Sequence, residues 1–193
     1  MGLFVLEQSK AAYCIDFAFY GAAVVALAAC VLAMGPPAPL PEVVAIAAAG
    51  VAGWTLIEYA LHRFVLHGLR PFSTWHGEHH GRPRALICTP TIVSAALFVV
   101  LVFLPALALL DLRRASALTL GMLTGYLVYS ITHHATHHWQ AGGPWMKARK
   151  RCHAVHHHRE TPGCYGVTSA FWDRVFGSDT RTGPAARPTP TPL

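Results

Sequence analysis

Apolar residues in this chain fall into four long blocks, and each block ends in polar or helix-breaking punctuation. The first runs from about Tyr13 to Met34 and stops at Gly35-Pro36-Pro37-Ala38-Pro39-Leu40-Pro41, where proline cannot continue a helix. The second starts near Glu42 and runs to about Leu66. The third, about Thr91 to Leu110, is joined to the fourth, about Ala115 to Thr132, by Asp111-Leu112-Arg113-Arg114 alone. About 20 helical residues cross a hydrocarbon core. The pattern therefore predicts an all-α fold with four membrane helices in two antiparallel hairpins. The polar stretches Gly68 to Pro90 and Trp139 to Leu193 then share one side and form a helical cap. Residues 1–179 read as one domain, and 180–193, rich in Pro, Thr and Ala, as a disordered tail.

Composition agrees with a bilayer. Apolar residues make up 53% of the 193 and charged residues 12%, about half the share of an ordinary soluble domain. The net charge of +6 is compatible with nucleic acid or anionic lipid, and the apolar content decides against nucleic acid. Thirteen of the fifteen Lys and Arg lie on the capped side, with only Arg113 and Arg114 opposite. The positive-inside rule then predicts a cytoplasmic cap and cytoplasmic termini. No cleavable signal peptide is expected. The five cysteines, odd in number and without Cys-x-x-Cys, argue against a disulfide framework. Cys14 and Cys30 read as small buried hydrophobes. Cys152, beside His153, is a candidate soft ligand. Trp54, Trp75, Trp139, Trp145 and Trp172 read as interfacial anchors.

Thirteen histidines fall in four clusters and nowhere else. His62 and His67 are i, i+5, which does not fit one α-helical face, so helix two should unwind or end near His67, with Gly68 as a stop. His76, His79 and His80 share a helix face, and His153, His156 and His157 repeat that geometry. His133/His137 and His134/His138 are neighbouring i, i+4 columns, and spacing alone does not choose between them. This many imidazoles packed without metal would repel on protonation, so the clusters predict more than one metal ion. No Glu-x-x-His or His-Glu-x-x-His motif is present, which argues against carboxylate-bridged di-iron bundles and zinc proteases. An all-imidazole site suits iron, zinc, copper or nickel.

The set H-x-x-x-x-H, H-x-x-H-H, H-x-x-x-H, H-x-x-H-H resembles the fatty acid hydroxylase/sterol desaturase superfamily of membrane di-iron oxygenases. The blocks Glu58 to His67, Trp75 to His80 and Tyr165 to Gly177 carry the resemblance beyond histidine, the last leaning toward the fatty acid 2-hydroxylase branch. It spans about Ala52 to Asp179. The resemblance implies His62, His67, His76, His79, His80, His133, His137, His153, His156 and His157 as ligands, about five per metal, and prefers His133 and His137 in the third cluster. It implies two iron ions, with zinc an accepted substitute. It further implies O2 as co-substrate and a membrane lipid as substrate. The electron donor would be a separate protein of ferredoxin or cytochrome b5 type with its reductase, since no cytochrome b5 domain is fused here. Two positions depart from the usual pattern: Ser130 replaces an aspartate and His134 an aromatic residue, both expected beside the metals.

Metal-bound imidazoles usually donate their second N–H to a carboxylate or carbonyl. Glu58, one turn before His62, and Asp173 are the carboxylate candidates. Glu58 otherwise reads as a snorkelling carboxylate, and Asp173 as a partner of Arg174 or a turn cap. The expected activity is O2-dependent hydroxylation of an unactivated C–H bond in a fatty acyl chain. Sterol-type desaturation or carotenoid hydroxylation is the alternative within the same chemistry. A membrane metal-binding or transport protein is the alternative of another class, and it should place ligands along the bilayer interior.

Overall fold

The computed structural model describes residues 7–35, 38–140, 142–159 and 163–182. Among them run α1 (Lys10–Ala33), α2 (Leu40–Leu66), α3 (Phe72–Gly81), α4 (Thr91–Leu109), α5 (Leu112–His138), α6 (Pro144–His158) and α7 (Phe171–Val175). The fold is all-α: the described residues contain no strand beyond an isolated bridge between Glu7 and Ile87. Helices α1, α2, α4 and α5 are long and apolar enough to cross a membrane, which makes this a multi-pass membrane protein. The fourth span outruns its expected end at Thr132 and continues through His138, so the third histidine cluster is simply its last two turns.

Local chemistry sets the helix starts. The Ser9 hydroxyl accepts the Ala12 N–H at 3.2 Å, a side-chain N-cap. The Asp111 carboxylate accepts the N–H groups of Arg113 and Arg114 at 3.0 and 3.1 Å and pairs with the Arg114 guanidinium, which also reaches Glu42 at 2.7 Å. One aspartate thus caps α5 and ties the tight α4–α5 turn to the start of α2. In α4, ahead of Pro105, the chain widens into a π segment over Val99–Phe103. Proline lacks the N–H that the i−4 carbonyl needs, so the regular ladder cannot pass through it.

The spans pack through small residues. A Cβ on Gly121 would lie 2.0 Å from the Ala47 carbonyl oxygen, and one on Gly50 would lie 2.6 Å from that of Leu118. Lipid tails are as apolar as leucine, so close backbone approach, rather than burial of apolar surface, favours this α2–α5 pair. Tyr20, Trp54, Phe98, Met122 and Leu123 form a core cluster to which every span contributes. Trp54 is therefore a core residue, only 8% exposed, and not an interfacial anchor. Cys14 and Cys30 depart from expectation in the other direction: both are exposed, on the surface of α1. Two hydrogen bonds join α1 to α4: Thr91 to Asp16 at 2.6 Å and Tyr20 to Ser94 at 2.7 Å.

Thr180–Thr182, expected in the tail, form a 3-10 turn. The Arg159 guanidinium donates to the Thr180 carbonyl, and Arg181 pairs with Asp179. The rest of the expected tail, 183–193, lies outside the described residues.

Candidate metal centre

The end of α2 resolves the awkward His62–His67 spacing. The helix ends at Leu66, as expected, through a π turn over Leu61–Leu66 and not by unwinding. The His67 N–H donates to the His62 carbonyl at 3.3 Å, an i→i−5 bond that brings residues five apart onto one face. The two rings lie 5.3 Å apart. Gly68 follows, where a Cβ would meet the Phe64 carbonyl oxygen at 2.3 Å. Only glycine allows the chain to leave the π turn that closely.

Nine of the ten predicted ligands gather into two groups. His62, His67, His76, His80 and His156 form one, and His79, His133, His137 and His153 the other; within each, ring nitrogens lie within 4.8 Å of one another. The tenth, His157, has its ring 4.1 Å from His80, 4.5 Å from His153 and 4.8 Å from His137. The two H-x-x-H-H helices exchange a residue. Helix α3 gives His76 and His80 to the group of α2 and sends His79 across. Helix α6 gives His153 to the group of α5 and sends His156 across. His157 stands one turn after His153, as His80 does after His76, and lies between the two groups.

The spacing fits metal. Nε2 atoms are 3.0 Å apart for His62 and His76, and 3.1 Å apart for His76 and His80 and for His67 and His156. Two nitrogens each about 2.1 Å from an ion and at right angles lie about 3 Å apart. In the second group His137 and His153 approach to 2.7 Å. Burial, reinforced by neighbouring imidazoles, keeps these rings neutral: His80 is pushed down to about 4, His79 and His156 to about 3, and His157 to about 2. Neutral imidazole is the ligating form. Both ring nitrogens of His79 and His157, and Nδ1 of His153, are buried with no hydrogen-bond partner, a costly state that metal coordination relieves.

Two backbone carbonyls fix ring orientation. His62 Nδ1 donates to the Tyr165 carbonyl at 2.6 Å, and His156 Nδ1 to the Gly163 carbonyl at 2.8 Å. A carbonyl only accepts, so both rings carry their proton on Nδ1 and turn the Nε2 lone pair into the group. The two predicted carboxylates sit one step further out, with no hydrogen bond to a histidine among the described residues. Glu58 accepts from the N–H groups of Val167 and Thr168 at 2.7 and 2.9 Å and from the Thr168 hydroxyl at 2.7 Å. Asp173, fully buried, accepts from the N–H groups of Tyr165 and Gly166 at 2.8 and 2.9 Å and from the Ser178 hydroxyl at 2.8 Å. Both carboxylates therefore hold the 163–168 loop that carries the carbonyls.

That loop docks on one face of α2. Thr55 accepts from Trp172 Nε1 at 2.9 Å, Glu58 takes Thr168, Tyr59 meets Ser178 at 2.9 Å, and His62 takes Tyr165. Positions 55, 58, 59 and 62 have i, i+3, i+4, i+7 spacing. This polar stripe in an apolar helix is the signal from which the loop could have been found. The other candidates lie apart. His134 Nδ1 is 3.2 Å from the Tyr13 hydroxyl and its ring stacks on His138 at 4.5 Å. The His134 departure thus faces α1 and not the metal groups. Cys152 is buried and belongs to neither group. A cavity of about 150 Å³ reaches His137, His153 and His157 between Arg84 and Lys150.

Comparison with known proteins identifies the family. Residues 47–178 match the fatty acid hydroxylase family model. The chain is 39% identical over 149 residues to the dihydroceramide fatty acyl 2-hydroxylase FAH2 of Arabidopsis thaliana, covering 72% of this chain and 62% of that one. It is 40% identical over 156 residues to the ceramide very long chain fatty acid hydroxylase SCS7 of Saccharomyces cerevisiae, covering 71% and 38%. It thus spans less than two thirds of the length of these relatives. A solved structure of full-length Scs7p, with only the hydroxylase domain visible, superposes with a TM-score of 0.76 at 31% identity, covering 93% of this chain and 70% of that one. A match over more than half of its residues, joined to a shared membrane-helix fold, establishes that the chain belongs to the fatty acid hydroxylase family.

Proposed function

We propose that this protein hydroxylates the fatty acyl chain of a membrane lipid at a dimetal centre. One metal would be held by His62, His67, His76, His80 and His156, and the other by His79, His133, His137, His153 and His157. The observation that carries the reading is the exchange of residues between α3 and α6, which builds a five-histidine and a four-histidine group at the ends of two membrane spans, with His157 beside both. The names of the relatives support carbon 2 of a ceramide-type acyl chain as the point of attack.

Iron is the metal we assign, and bound iron supplies the activation of O2 for insertion into a C–H bond; zinc fits the same nitrogens in a purified sample. The chain's own residues do the remaining work. The Tyr165 and Gly163 carbonyls hold two imidazoles in one tautomer. His62, His79, His153 and His156 are each no more than 5% exposed, so bulk water is kept from the ligand nitrogens. Electrons come from a separate protein of ferredoxin or cytochrome b5 type. The excess of Lys and Arg on the cap side supports a cytoplasmic centre and termini.

Metal transport fits less well, because the ligands cluster at helix ends and not along the bilayer interior. Desaturation shares the first hydrogen abstraction and is separated by product. Mass spectrometry of lipids from cells making the protein, with its electron donor supplied, and from cells making His156→Ala tests the reading. A lipid heavier by one oxygen only with the intact protein is expected. A lipid lighter by two hydrogens would replace hydroxylase by desaturase, and an unchanged lipid profile with metal-loaded protein would overturn both.

A further inference from the structure

The two groups are alike in their histidines and unlike in what stands behind them. In the first, His62 and His156 each donate Nδ1–H to a carbonyl of the 163–168 loop. In the second, no histidine makes a hydrogen bond to a backbone carbonyl or a carboxylate among the described residues, and Nδ1 of His79 and of His153 is buried and unpartnered. The second group also lines the cavity that carries His137, His153 and His157, whereas no residue of the first group lines it. Outer hydrogen bonds to ligating histidines typically change metal affinity 10- to 100-fold.

We infer that the two metals are held unequally, and that Glu58 and Asp173 are positioning residues for the first metal alone, acting through the Tyr165 and Gly163 carbonyls. The chain of contact is short. Glu58 fixes Val167 and Thr168, and Asp173 fixes Tyr165 and Gly166. Gly163 is held close by: the neighbouring Cys164 N–H donates to the Ser178 carbonyl at 2.9 Å, and Ser178 donates to Asp173. The metal at His79, His133, His137, His153 and His157 has no such support. It is therefore the one that exchanges with solvent ions and leaves first. The inference rests on the dimetal reading above and concerns how that centre is retained.

The experiment is chelator competition on the full chain in detergent, loaded with zinc or cobalt, with metal per chain measured by mass spectrometry of the elements. Intact protein should lose its two equivalents in two steps separated by about 10-fold or more in free chelator. Glu58→Met removes the acceptor at similar size and should move the tighter step about 10- to 100-fold toward the weaker one, leaving the weaker step in place. Glu58→Gln keeps an acceptor oxygen for the Val167 and Thr168 N–H groups and should restore most of the tighter step. In the cobalt form, the absorption of only one of the two ions should change. Thr168→Val deletes one hydroxyl contact, and serves as the milder lesion if Glu58→Met fails to fold. Loss of both metals in one step from the intact protein, or equal weakening of both steps in Glu58→Met or Thr168→Val, would overturn the inference. Fewer than two metals on fully loaded intact protein would instead sink the dimetal reading itself.

Discussion

A buried imidazole that stays neutral makes the metal-free fold sensitive to acid. An unfolded histidine takes up its proton near pH 6.5, whereas burial holds His80 near 4 and His79 and His156 near 3. Between those values the unfolded chain binds protons that the folded chain refuses, so stability rises with pH. The sign gives a flat profile above about pH 7 and progressive loss from about 6.5 down toward 3. Melting temperatures of metal-stripped protein in detergent, taken from pH 8 to pH 4, should follow that shape; a profile flat to pH 4 would mean these rings are solvated. At this scale the clustering of histidines was legible from their spacing, whereas the preference for His133 and His137 over His134 and His138 came from the resemblance. The carbonyls of Tyr165 and Gly163 were not, since every residue has a carbonyl and side-chain identity does not announce which one is used. Glu58 stood out as costly near a membrane and Asp173 as a further carboxylate, but the backbone N–H groups that each holds leave no trace in the sequence.

Among elements, the four spans could be read from apolar runs because the bilayer sets their length. The π turn at Leu61–Leu66 could not, although the i, i+5 histidines announced that an ordinary α-helix would fail there. The contact between α2 and α5 was equally hidden, because glycines in apolar runs do not declare their neighbours. Gly121→Val should disrupt it: the new side chain would collide with the Ala47 backbone, an overpacking that typically costs about 1–3 kcal/mol. Gly21→Ala is the control, since nothing lies within 4 Å of a Cβ there, and alanine favours helix by about 1 kcal/mol. Thermal unfolding in detergent should show a clear loss for the first and none for the second. Equal behaviour of the two would argue against this helix pair.

For the molecule as a whole, the C-terminal segment matters further along than composition suggests. Arg63 donates to the Tyr59 hydroxyl at 2.5 Å, Tyr59 meets Ser178 at 2.9 Å, and Ser178 donates to Asp173. Truncation after Gly177 cuts this chain and removes the Ser178 carbonyl that takes the Cys164 N–H, so it should lower metal content. Truncation after Thr182 keeps every one of these contacts and should leave two metals bound. Identical metal content in the two truncations would show that Ser178 is dispensable.

The exchange of histidines between α3 and α6 also dictates when the centre can be completed during synthesis. On the proposed ligand set, each group would take at least one ligand from α6, the last of the ligand-bearing helices to leave the ribosome. Neither half of the chain can assemble a full group on its own, so all four spans are inserted before either ion can be fully coordinated. On that reading membrane insertion would proceed on hydropathy alone, and the newly made protein would pass through a metal-free, acid-sensitive form.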